Sequence, residues 1–100
     1  MLEALQRADR PWWILGARLA TGAEDREGID VVVQTDTGTF FLQVKSNREA
    51  ARKWRNRRKT LVRSGRAGVV LVRRGNGAAV VWGRTLGVLL GLRDPSLKNS

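Results

Sequence analysis

Asp30, Gln43 and Lys45 are residue types suited to phosphodiester chemistry, set at the two ends of one short segment. Hydrolysing a phosphodiester with a hard divalent ion requires oxygen ligands for the ion and a cation near the attacking water or the phosphate. Asp30 offers a carboxylate, Gln43 a neutral side-chain oxygen and the Val44 carbonyl a backbone ligand. Lys45 is placed to orient the nucleophile or to stabilise developing charge. The chain has no cysteine and no histidine. That excludes a disulfide framework, a zinc site, an imidazole base and a thiol nucleophile. A metal in this chain is therefore expected to be oxygen-liganded magnesium or manganese.

A hairpin must hold these residues together. Ile29 to Gln34 and Thr39 to Lys45 are rich in Val, Phe and Thr and read as two strands around a loop from Thr35 to Gly38. A type I turn with Gly38 in the final left-handed position pairs Gln34 with Thr39, and hence Asp30 with Gln43. Ile29, Val31, Val33, Phe40, Leu42 and Val44 then share an apolar face. Asp30, Val32, Gln34, Thr39, Phe41, Gln43 and Lys45 share the other, and a one-residue slip would mix the two sets.

Around the hairpin, Met1 to Asp9 reads as a short helix stopped or bent by Pro11, and periodicity leaves Trp12 to Ala20 open between strand and helix. Ser46-Asn47-Arg48-Glu49 is a capping-box pattern that starts a helix running to about Arg63, with Ala50, Trp54 and Leu61 as its buried stripe. Val69 to Arg73 is a strand, Gly75-Asn76-Gly77 a turn and Ala79 to Trp82 a further strand. Thr85 is expected to cap a last apolar helix from Leu86 to Leu92, which closes the core or forms a dimer surface. The aromatics Trp12, Trp13, Trp54 and Trp82 are expected to fill a small core. One hundred residues make a single domain, taken as 1–93, followed by a polar tail over 94–100.

Charge points to the partner. Nineteen Lys and Arg against nine Asp and Glu give a net charge of +10, a one-signed surplus that fits a polyanion, nucleic acid above all. Five of the nine acids, Glu24, Asp25, Glu27, Asp30 and Asp36, lie within thirteen residues. Arg48 to Arg63 carries eight cations against Glu49 alone. Arg48, Arg52, Lys53, Arg55, Arg57, Arg58 and Lys59 are the expected nucleic-acid contacts. No apolar run approaches membrane-spanning length, and the N-terminus lacks a signal-peptide pattern, so a cytoplasmic protein with no membrane partner is expected.

An isolated aspartate, a hairpin, then Gln, one apolar residue and Lys resembles the PD-(D/E)xK nuclease superfamily, in its Gln-containing variant. Asp30 matches the family aspartate, Gln43 the acidic position and Lys45 the motif lysine, with Gly28 and Ile29 preceding the aspartate as in resolvase-like members. The resemblance covers about Glu24 to Arg73. It implies an α/β fold with a restriction-endonuclease-like αβββαβ core: a central mixed sheet with an antiparallel hairpin, flanking helices and the metal site at the hairpin. It also implies magnesium- or manganese-dependent cleavage of DNA, and self-association as a homodimer. A leading-helix glutamate belongs to the family pattern. Glu3 is the acid at a comparable remove, and Glu24 and Asp25 are nearer. The alternatives are a non-catalytic DNA- or RNA-binding module, or a homomeric interaction module, on a nuclease-derived fold.

Overall fold

Consecutive apolar residues in β2 (Val31–Thr35) and β3 (Gly38–Lys45), buried on both faces, set the centre of the molecule in this computed structural model, which describes residues 2–7 and 9–94. The two strands pair antiparallel from Val31–Leu42 to Thr35–Gly38, with Gln34 opposite Thr39, the register the face argument requires. Gly38 has φ +122° and neither Asp36 nor Thr37 has a positive φ. The primed two-residue turns are thereby excluded, and the left-handed position falls on the glycine.

Outside β2 lies β1 (Ile14–Leu19), antiparallel to it with an irregularity between Ile14 and Gly16; outside β3 lies β4 (Ala67–Leu71), parallel to it. The parallel step requires a crossover, which α3 (Arg48–Arg57) and α4 (Lys59–Arg63) supply. Two further helices, α1 (Leu2–Gln6) and α5 (Ala78–Arg93), pack on the opposite face, and a short α2 (Gly22–Arg26) sits between β1 and β2. The result is a four-stranded mixed sheet between helices, an αβββαβ core to which α2, α4 and α5 are added.

Each face buries its own cluster. Val31, Val33, Phe40 and Leu42 join Leu5, Trp13, Ile14, Val70, Leu89 and Leu92 under α1 and α5. Phe41 packs instead with Ala51, Trp54, Ala67 and Val69 under α3. Ile29 departs from its expected face. It lines a groove with Phe41 and Leu61, because its amide bonds to the Glu24 carbonyl (3.1 Å) in the turn after α2, before the strand begins.

Several boundaries differ from the sequence reading. The stretch from Trp12 to Ala20 resolves as a strand over Ile14–Leu19, with Trp12 and Trp13 in the turn before it. The cap of α3 is Asn47, whose Oδ1 accepts from the Ala50 amide (2.7 Å), and Glu49 pairs with Lys53 (3.6 Å) instead of closing a box with Ser46. The buried position moves with the cap, from Ala50 to Ala51. The helix breaks at Arg58, so Leu61 belongs to α4 and is half-buried. Ala79 to Trp82 is no strand but part of the first turns of α5, and Thr85 is interior, its hydroxyl donating to the Val81 carbonyl (2.7 Å). The β-preferring Val80-Val81-Trp82 is overridden because Trp82, Leu86, Leu89 and Leu92 recur at helical spacing over the sheet. Trp13 and Trp54 are core residues, whereas Trp12 is 77% exposed with the Arg93 guanidinium over its ring. Of the tail, Asp94 caps α5, and 95–100 lie outside the described residues.

Candidate functional site

Asp30 sits one residue before β2 and is held at three points. Its amide donates to the Leu42 carbonyl (2.8 Å), its carbonyl accepts from the Ala20 amide (3.0 Å), and its carboxylate Oδ2 accepts from the Val44 amide (2.8 Å). The β2–β3 ladder ends at Val31–Leu42, so the Asp30 side chain serves as the partner of a backbone donor just beyond it. Its other oxygen, Oδ1, makes no hydrogen bond within the described residues.

Gln43 is 7% exposed; its amide nitrogen donates to the Val44 carbonyl (3.3 Å), and its oxygen Oε1 is buried with no partner. A buried acceptor left unsatisfied costs about 1–3 kcal/mol. The Asp30 carboxylate, the Val44 main chain and the Gln43 amide are thus joined by two hydrogen bonds, one to each side chain. All three offer hard oxygens, which fit magnesium or manganese in type. No group of three or more acids that could hold a metal occurs among the described residues. An ion here would rest on one carboxylate and neutral oxygens.

Lys45 follows on the same face, half-buried and without an ion pair. It lines a cavity of about 180 Å³ with Asp25, Gly28, Trp54 and Arg57. Trp54 forms the wall, 2% exposed, and its indole Nε1 is also buried without a partner. Gly28 is required beneath it: φ is +81°, and a Cβ there would lie 2.3 Å from Trp54 Nε1.

The three additional acids separate. Asp25 shares the Lys45 cavity. Glu24 is bound by Arg18 through both oxygens (2.6 and 3.0 Å) and caps α2 by accepting from the Thr21 amide (2.8 Å). That grip, the Arg18 guanidinium first and the Thr21 amide next, holds its carboxyl down at about 2. Glu3 lies on α1, in a groove with Arg7, Asn76 and Trp82. Since α1 and α3 cover opposite faces of the sheet, Glu3 is not brought to Asp30.

The cations of α3 and α4 divide. Lys53 pairs with Glu49 (3.6 Å), and Arg58 with Glu27 (3.1 Å) and the Arg26 carbonyl (3.2 Å). Arg52, Arg57 and Lys59 are exposed and make no ion pair. Arg48 and Arg55 face a groove of about 500 Å³ at the β4 edge, where Arg73 and Arg84 join them and no acid lines the wall. Arg84 is fixed there by the Leu71 carbonyl (3.0 Å) and Asn76 Oδ1 (2.8 Å). Sequence reasoning missed Arg73 and Arg84, because only the fold carries residues that far along the chain back to α3.

Comparisons with protein-family models, with curated proteins and with solved structures find no match for this chain. No described helix is long and apolar enough to cross a membrane.

Proposed function

We propose that this protein binds nucleic acid, DNA being the expected form, and carries beside its cationic helices a metal-dependent phosphodiesterase site of the PD-(D/E)xK kind. The observation that carries this reading is the unpartnered, buried Gln43 oxygen tied through Val44 to the Asp30 carboxylate, two residues from an unpaired Lys45. Held by Asp30, Gln43 and the Val44 carbonyl, a magnesium or manganese ion would supply Lewis acidity toward a phosphoryl oxygen and a lowered pKa for its water. The chain supplies the rest. Asp30 is fixed through its amide, carbonyl and carboxylate, so its free oxygen keeps one direction. The unpaired Lys45 ammonium is available to a phosphate oxygen or to the attacking water. Arg57 and Lys59 on one side, and Arg48, Arg55 and Arg73 on the other, offer cations to the flanking backbone.

The test is incubation with single-stranded, duplex and branched DNA in the presence of manganese. Asp30→Asn, which keeps an acceptor for the Val44 amide, and Lys45→Ala are expected to lose cleavage by about 100-fold or more while retaining binding. Cleavage undiminished in both variants overturns the site. The presence of a single carboxylate favours a second reading, a non-catalytic nucleic-acid-binding module. That reading requires salt-sensitive binding with no metal dependence, and no calorimetric heat of metal binding that Asp30→Asn removes.

A further inference from the structure

Where α3 gives way to α4, the chain opens a groove of about 920 Å³. Arg58 makes the opening: at φ −115° and ψ 42° it is outside the helical region, so the two helices part around it. The floor is apolar, built from Ala23, Ile29, Phe41 and Leu61. Arg57 and Lys59 stand at the rim, exposed and without ion pairs, and the Asn56 and Thr60 side chains make no hydrogen bond within the described residues. Two acids also line the groove, but each already holds an arginine: Glu24 binds Arg18 (2.6 Å) and Glu27 binds Arg58 (3.1 Å). The charge left over is positive. Glu27, Arg57 and Arg58 also line the cavity that holds Lys45, so the two spaces adjoin through three residues.

An apolar floor with one aromatic ring, free polar groups and two uncompensated cations suits a particular ligand chemistry. The ligand has a flat apolar face, a hydrogen-bonding edge and negative charge. Within a polyanion, that is a nucleobase outside the stack together with its flanking phosphates. A base stacked in a duplex shows only its edges, in the grooves, and cannot offer its face. We propose that the α3–α4 groove takes an unpaired nucleobase, with Phe41 and Ile29 against its face and Arg57 and Lys59 on the neighbouring phosphates. The nucleic acid passing Lys45 is then single-stranded at that point. This deepens the function proposed above and rests on it.

The full chain is titrated, by fluorescence anisotropy at about 0.15 M salt, into three probes. These are a single-stranded oligonucleotide, an abasic phosphodiester strand of the same length, and a blunt duplex. The normal strand is expected to bind about tenfold tighter than the abasic one, the scale of one base–aromatic stack. Ala23→Trp fills the groove from α2 without removing a core side chain, and is expected to abolish that difference while duplex affinity holds. Phe41→Leu keeps an apolar floor but loses the ring, and is expected to shrink the difference severalfold. Equal affinity for the normal and abasic strands, or a preference unchanged in both variants, overturns the groove assignment while nucleic-acid binding stands. Absence of binding to all three probes overturns both.

Discussion

At the residue scale, two carboxylates from the acidic stretch have opposite fates. Asp30 keeps one oxygen free, whereas Glu24 has both engaged. The sequence could place Asp30, Gln43 and Lys45 on one face because a strand has period two and a slip would bury polar groups. It could not tell that Arg18 reaches Glu24, since that contact depends on the turn through α2. The Glu24 carboxyl sits at about 2 against an ordinary 4.5, chiefly through Arg18. A folded-state value below the unfolded one adds stability that is complete above the ordinary value and is lost as pH falls through the folded value. Stability should therefore drop as pH falls from 4.5 to about 2, and Glu24→Gln should make that stretch of the acid-unfolding curve shallower. Carboxyl NMR titration checks the origin. A Glu24 midpoint at the ordinary value would contradict the Arg18 pair.

At the element scale, what was legible followed periodicity and what was not followed tertiary packing. The hairpin and the helix after Lys45 are written in local pattern; the first turns of α5 are not, because Val80-Val81-Trp82 prefers a strand until the sheet offers Trp82 a helical place. The outer edge of β1 shows another device that sequence conceals. Gln6 donates to the Ala17 carbonyl (2.9 Å), and Arg10 to those of Ile14 (2.7 Å) and Leu15 (3.0 Å). An edge strand exposing Leu15 and Leu19 is thereby blunted against pairing with another strand. The start of α3 gives the sharpest test at this scale. Ser46 and Asn47 both have the composition of a cap, but Asn47 makes the bond to Ala50. Asn47→Ala is expected to cost about 1 kcal/mol in denaturant unfolding, and Ser46→Ala a few tenths at most. Equal losses would return the cap to Ser46.

At the scale of the whole molecule, the charge of +10 acquires a geometry. Five of the cations on α3 and α4 look toward two different spaces: Arg57, Arg58 and Lys59 toward the α3–α4 groove, Arg48 and Arg55 toward the β4 edge. Arg73 and Arg84 come to that edge from β4's far end and from α5, so the crossover brings together four guanidiniums from remote sequence positions. Their mutual repulsion is relieved when an anion is bound, and a phosphate backbone crossing the β4 edge would do so. Each phosphate contact releases condensed counterions, which makes affinity fall linearly in log–log form with salt. Arg55→Ala and Arg73→Ala are each expected to lower the slope of log K against log salt by about 1, with affinity reduced alike for every sequence tested. Arg18→Ala removes a cation already bound to Glu24 and is expected to leave the slope unchanged. Anisotropy titrations at four or so salt concentrations give all three slopes. A slope unmoved by Arg73→Ala would take the β4 edge out of the proposed nucleic-acid surface and leave that proposal to the α3–α4 side alone.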